Sequence, residues 1–131
     1  MFARRLFLNG LFALAGFAFL TPALAANVAP FDQASFDAAK SAGKSILVDV
    51  SAPWCPTCKA QKQVLGPLFA KPEYADLNVF EVDFDSRKVV LRELGVRQQS
   101  TLIAYKGKEE AARSTGETEP SAIAALLAKT R

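Results

Sequence analysis

The chain has 131 residues, half of them hydrophobic, which is enough for one domain with a core but not for several. Its sixteen basic and thirteen acidic residues give a net charge of +3, and no basic patch with interleaved aromatic residues occurs, so nothing indicates nucleic-acid binding. The absence of histidine excludes Ser-His and Cys-His nucleophilic catalysis and histidine-based zinc sites.

The first 25 residues have the pattern of a secretory signal peptide. Arg4 and Arg5 form a basic start, an apolar run spans 6–20, and Ala23 and Ala25 give the A-x-A form of a cleavage site. The two arginines, followed by Leu-Phe-Leu, also resemble a twin-arginine signal, so both that route and the general secretory route stay open. An uncleaved membrane anchor is the alternative, although spanning needs about 20 apolar residues. The sequence therefore predicts export to a bacterial periplasm, with cleavage after Ala25.

The remaining residues, 26–131, are predicted to form the folded domain. Cleavage removes two basic residues and no acidic one, so the net charge of this domain is +1. Hydrophobic periodicity, helix caps and turn residues predict the order α-β-α-β-α-β-β-α. The predicted elements are a short leader over 27–30, a helix over 33–42, a strand over 44–51, a helix over 55–65, a strand over 78–84, a helix capped by Asp85 or Ser86 and ending at Leu94, a strand over 101–105, an edge strand over 109–114 and a helix from Pro120. Gly66-Pro67 is expected to stop or kink the second of these helices.

Both cysteines of the chain form a Cys-x-x-Cys motif where the first predicted strand meets a helix. Cys55 lies at the helix N-terminus, where unpaired N–H groups and the helix dipole favour a thiolate. Cys58 lies about one turn further on, within reach of a mixed disulfide formed on Cys55. A structural disulfide of this spacing closes too short a loop to add much stability. The motif therefore predicts thiol–disulfide exchange, which requires an accessible Cys55 sulfur, with metal binding as an alternative that needs ligands from elsewhere.

Over residues 31–131 the chain resembles the thioredoxin-fold family. The segments that carry the resemblance are Val48-Asp49-Val50, Trp54-Cys55-Pro56-Thr57-Cys58-Lys59, Val82-Asp83-Phe84-Asp85, Gly95-Val96-Arg97, Thr101-Leu102-Ile103-Ala104-Tyr105-Lys106-Gly107 and the terminal helix. Cys-Lys-x-x-x-x-Val-Leu followed by Pro-Glu-Tyr is similar to the exported thiol-reductase branch, which includes the C-terminal domain of the membrane electron transporter DsbD. The resemblance implies an α/β thioredoxin fold, in which a central mixed sheet is flanked by helices.

The resemblance also implies a role for each matching residue. Cys55 would be the attacking thiolate and Cys58 the resolving thiol. Asp49 would be a buried acid that takes the proton of Cys58, with a pKa raised by burial; a strand-edge acid that faces solvent is the alternative. Trp54 would shield the motif and offer an apolar docking face, and a core tryptophan is the alternative.

The other residues of the motif are expected to support these four. Lys59 either tunes the thiolate or is a solvated helix residue. Pro56 and Thr57, between the cysteines, do not indicate the direction of exchange.

Two positions depart from the family pattern. The predicted substrate-docking loop, Gln99, Ser100 and Thr101, has serine where the family has a cis-proline. A cis bond before a non-proline residue costs about 2.5–4 kcal/mol, so Ser100 either keeps a cis bond at that cost or relaxes to trans. Glu81 stands where many thioredoxins have a lysine near the buried acid. If Glu81 points inward, like-charge repulsion would raise the pKa of Asp49.

Together these features predict an exported dithiol reductase without a cofactor. Its partners would be disulfide-bearing periplasmic proteins and a membrane thiol electron donor, and it would be a monomer. A disulfide oxidase or isomerase is the alternative, although the chain lacks the histidine between the cysteines and the helical insertion that strong oxidases carry. A dithiol metal chaperone is less favoured because the only methionine is Met1 and soft metals favour such ligands.

Overall fold

A computed structural model describes Ala18 and residues 25–131. The predicted signal peptide, with both export routes, thus lies outside the described residues except at Ala18 and Ala25. Within the described part of the chain, no helix has the length and apolar character needed to cross a membrane.

Five strands and four α-helices make up the described domain. They are β1 (Asn27–Pro30), α1 (Gln33–Ser41), β2 (Ser45–Ser51), α2 (Pro56–Phe69), a 3₁₀ helix (Pro72–Tyr74), β3 (Asn78–Asp83), α3 (Lys88–Leu94), β4 (Thr101–Lys106), β5 (Glu109–Thr115) and α4 (Pro120–Ala128). The strands form one sheet in the order β1-β3-β2-β4-β5. β1, β3 and β2 are parallel, whereas β4 and β5 run antiparallel to their neighbours. The predicted α/β class with a central mixed sheet is confirmed.

β2 lies at the centre of the sheet because its apolar run can be buried on both faces. Side chains alternate along a strand, so Ile46, Val48 and Val50 share one face and Leu47 shares the other with Asp49. The first face packs with buried residues of α1 and α3, and the second packs with those of α2 and α4. The carboxyl of Asp49 therefore lies on the same side of the sheet as the helix that carries the cysteines.

The predicted order missed the first strand. Asn27–Pro30, expected as a leader, pairs in parallel with β3 from Asn27↔Asn78 to Pro30↔Glu81. This edge strand has only four residues, and they are mostly exposed, so the sequence shows no alternation of apolar and polar side chains there. Only the pairing with β3 defines the strand.

Two helix boundaries also differ from the prediction. α2 continues through Gly66 and Pro67 to Phe69, because Gly66 has no Cβ to clash with the proline ring and Leu65 and Leu68 are buried on the same face. α3 begins only at Lys88, after Arg87, and no side chain caps it. The expected cap Ser86 instead donates its hydroxyl to Asp83 at 2.6 Å.

Candidate active site

Cys55 and Cys58 form a disulfide at the N-terminus of α2, with their Cα atoms 5.3 Å apart. Cys55 is the N-cap residue, in an extended conformation, and Pro56 occupies the first helical position. The backbone N–H of Cys58 donates to Cys55 Sγ at 3.0 Å. A helix-terminal donor thus points at the sulfur that the sequence predicts to be the nucleophile, and such a donor stabilises negative charge there.

Both cysteines are buried, although the predicted mechanism requires an accessible Cys55 sulfur. Cys55 is 3% exposed and Cys58 is 2% exposed, and they pack with Ala52 and the partly buried Phe84. The prediction of an accessible Cys55 sulfur is therefore wrong for the disulfide form. The neighbouring Pro53 and Trp54 are exposed, so the disulfide lies just beneath the surface loop.

Trp54 projects from the loop before the disulfide and is 58% exposed, so the core alternative is wrong. Its Nε1–H donates to Asp85 Oδ2 at 2.9 Å, which fixes the orientation of the indole ring. Asp85 was expected to cap a helix. It lies just after β3, far from Trp54 in the sequence, so spacing along the chain does not reveal it as the partner of Trp54.

The remaining residues of the motif lie at the surface of α2. Pro56 and Lys59 are exposed and Thr57 is half-buried. Lys59 makes no ion pair within the described range, so its tuning role stays a prediction.

Asp49 is 5% exposed, on the face of β2 that α2 covers, so the solvent-facing alternative is wrong. Burial, with a smaller contribution from the charge of Glu81, raises the pKa of Asp49 to about 6. The charge of Lys62 acts in the opposite direction. A pKa of about 6 suits the predicted role of Asp49 as a proton acceptor for Cys58, which stays a prediction.

Glu81 and Lys62 are charged residues that lie beside the carboxyl of Asp49. Glu81 pairs in register with Asp49 on the adjacent strand, and Lys62 Nζ lies 3.6 Å from Glu81 Oε2. All three residues line a cavity of about 180 Å³ between α2 and the edge of the sheet. The expected effect of Glu81 on the pKa of Asp49 is confirmed in direction, whereas the opposing effect of Lys62 was not predicted.

Ser100 has relaxed to a trans bond, since no cis peptide bond occurs in the described part of the chain. It adopts φ +56°, the left-handed region, and is buried. Local hydrogen bonds hold the loop: Ser100 Oγ donates to the carbonyl of Gln99 at 2.6 Å and Thr101 Oγ1 to that of Gln98 at 2.9 Å. Thr101 pairs with Val50, so the loop lies at the same end of the sheet as the disulfide.

Gln61 is a site residue that sequence reasoning missed. It lies three residues after Cys58 on the buried face of α2 and is 1% exposed. Its Nε2 donates to the carbonyl of Ser100 at 3.0 Å and to that of Glu117 at 2.9 Å. The spacing of Cys58, Gln61 and Leu65 on one helix face was the available signal, because it places a polar side chain in the core.

No group of three or more potential metal ligands occurs among residues 25–131 and Ala18. The candidate site brings together the Cys55–Cys58 disulfide, a buried acid with a raised pKa, an exposed tryptophan and the loop predicted to dock the substrate. A pair of cysteines at this spacing can form and break disulfides, and the carboxyl of Asp49 lies on the face of the sheet that α2 covers.

Comparison with known proteins identifies the class to which this fold and dithiol site belong. Residues 27–129 match the thioredoxin family. Thioredoxin-2 of Saccharomyces cerevisiae is 33% identical over 96 residues, which cover 71% of this chain and 88% of that protein. Thioredoxin Asp f 29 of Aspergillus fumigatus is 34% identical over 83 residues, covering 63% and 76%.

Among solved structures, Trxlp from Edwardsiella tarda EIB202 is similar, with 50% identity, a TM-score of 0.75 and coverage of 77% of this chain and 98% of that one. The chain belongs to the thioredoxin family, whose members are protein-disulfide reductases, and it has the thioredoxin fold. It is a thioredoxin-like disulfide oxidoreductase with Cys55 and Cys58 as its redox pair.

Proposed function

We propose that the protein is an exported dithiol reductase that exchanges disulfides with periplasmic proteins. The observation that carries the proposal is the hydrogen bond from the Cys58 N–H to Cys55 Sγ at the start of α2. This geometry favours Cys55 as the thiolate and leaves Cys58, below it, to resolve the mixed disulfide.

The exchange takes place in two balanced steps. The Cys55 thiolate attacks one sulfur of the partner's disulfide, so a mixed disulfide forms and the other partner sulfur leaves as a thiolate. Cys58 then loses its proton to Asp49 and attacks Cys55 Sγ, which releases the second partner sulfur as a thiolate. The partner gains two electrons and the chain is left with the Cys55–Cys58 bond. A membrane thiol donor restores the dithiol by the reverse exchange.

Docking of the partner would use the surface beside the disulfide. Trp54 offers an exposed apolar ring fixed by Asp85. The loop of Gln99, Ser100 and Thr101 offers backbone groups at the same end of the sheet. Because Cys55 is buried in the disulfide form, its sulfur must become accessible either through reduction itself or through displacement of part of the surface loop when the partner docks.

Insulin reduction tests the reaction. We expect protein purified from cells that express the full chain to reduce insulin disulfides with dithiothreitol as donor. Cys55→Ser should abolish this activity, while Cys58→Ser should trap a mixed disulfide with insulin. Turnover that persists in Cys55→Ser would exclude the mechanism.

The export proposal has its own support and test. The Ala26 N–H donates to the carbonyl of Phe69 at 2.9 Å, so the first residue expected after cleavage is bonded to the folded domain. In a bacterium that expresses the full chain, we expect the periplasmic protein to begin at Ala26. Replacing Arg4 and Arg5 by lysine should stop export if the route is twin-arginine and leave it intact if the route is general. A protein that still begins at Met1 and remains in the cytoplasm would contradict export.

A further inference from the structure

We propose that Gln61 is a positioning residue, which holds the docking loop at a fixed place relative to the active-site helix. This inference rests on the proposed function, because it assumes that a protein substrate docks on the loop around Ser100. It assigns the control of docking to a residue outside the Cys-x-x-Cys motif.

The Gln61 amide joins three separate parts of the chain. The side chain projects from α2 one turn after Cys58, and its Nε2 donates to the carbonyl of Ser100 at 3.0 Å. The same nitrogen donates to the carbonyl of Glu117 at 2.9 Å, in the segment between β5 and α4. A movement of α2, of the docking loop or of the segment before α4 would break at least one of these bonds.

The docking loop needs such a restraint because Ser100 has an unfavourable backbone conformation. A non-glycine residue at φ +56° persists only where its surroundings determine it. The Ser100 carbonyl accepts a second hydrogen bond, from the Gly116 N–H at 2.9 Å. Two donors on one carbonyl fix the peptide plane that follows Ser100, which is the plane that leads into β4.

The amide oxygen of Gln61 shows that packing alone does not explain a glutamine at this position. Gln61 Oε1 is buried and has no hydrogen-bond partner in the described part of the protein. An unpaired buried oxygen lowers stability, and a methionine of similar length would fill the space without that cost. The contribution of the amide therefore lies in its two donated bonds.

The test compares Gln61→Met with a matched control, Gln63→Met, an exposed glutamine on the same helix. Reduction of insulin, which must dock, is measured beside reduction of 5,5′-dithiobis(2-nitrobenzoate), a small disulfide that needs no docking loop. We expect Gln61→Met to raise the KM for insulin about tenfold, as the loss of one or two buried hydrogen bonds implies. The kcat for insulin and the rate with the small disulfide should stay within about twofold, and Gln63→Met should match the unmodified protein.

An unchanged KM in folded Gln61→Met, or an equal loss with both substrates, would overturn the proposal. Should Gln61→Met not fold, Gln61→Asn keeps the amide but is one methylene too short for either contact, and it should show the same rise in KM. Failure of both variants to fold would assign Gln61 to stability alone and overturn the proposal. Failure of the unmodified protein to reduce insulin would instead refute the proposed function.

Discussion

At the scale of single residues, the chemistry of the site depends on where one carboxyl is buried. Asp49 interrupts an apolar strand, and the sequence alone indicated that such an acid would be inside. Its surroundings were only partly predictable. Glu81 could be inferred from its position in the family pattern, whereas Lys62 lies one turn after Cys58 and reaches Glu81 only once α2 is packed on the sheet.

The raised pKa of Asp49 predicts a pH-dependent loss of stability. A carboxyl with a pKa of about 6 in the folded state and 3.8 in the unfolded state binds more protons when folded. Its contribution is therefore most favourable below pH 3.8, falls as the pH rises to about 6, and then stays constant. We expect Asp49→Asn to raise the free energy of unfolding at pH 8 by up to about 3 kcal/mol and to lose this advantage near pH 3.5, in urea titrations at the two pH values. An equal effect at both would contradict the assignment, and slower insulin reduction in the same variant would support a role for Asp49 as the base.

The opposite charges of Glu81 and Lys62 predict opposite changes in the pKa of Asp49 when each is replaced. Glu81→Gln removes a like charge and should lower the pKa of Asp49, whereas Lys62→Met removes the opposite charge and should raise it. The chemical shift of the Asp49 carboxyl carbon, followed by NMR through a pH titration, measures this pKa in each variant. Shifts of the same sign in the two variants would show that the electrostatic account is wrong.

At the scale of elements, the sequence was informative wherever local pattern and packing agree. The strand before the cysteines and the helix that follows could both be predicted, and in the structure they are β2 and α2. β1 could not, because its pairing with β3 spans about fifty residues and leaves no local pattern. Pro67 misled the prediction for α2, because the preceding glycine relieves the clash that a proline normally causes.

The docking loop makes an element-scale prediction. Proline cannot adopt φ +56°, so Ser100→Pro must either break the contacts of Gln61 and Gly116 or rebuild the loop. We expect it to lower the free energy of unfolding by at least about 1 kcal/mol, although it introduces the residue usual for the family. Ser100→Gly, which tolerates this conformation, is the matched control and should stay within about 1 kcal/mol of the unmodified protein. Urea unfolding of the three proteins gives the comparison, and a stabilised Ser100→Pro would contradict the observed loop.

At the scale of the whole molecule, the sheet order explains why distant segments form one site. β2 and β3 are parallel neighbours, so the loops after them bring Trp54 and Asp85 together. β4 runs antiparallel to β2, so its beginning, with Ser100, returns to the same end. The family resemblance predicted this architecture, but the hydrogen bonds of Gln61 and the burial of Cys55 depend on tertiary contacts that no short motif encodes.

The equilibrium reduction potential of the Cys55–Cys58 pair, measured against glutathione, tests the central claim most directly. Stabilisation of the Cys55 thiolate by one helix-terminal N–H, without a histidine between the cysteines, predicts a reducing couple near the thioredoxin value of about −270 mV. A potential near that of strong oxidants, about −120 mV, would contradict it, because such a pair would donate its disulfide rather than reduce that of a partner.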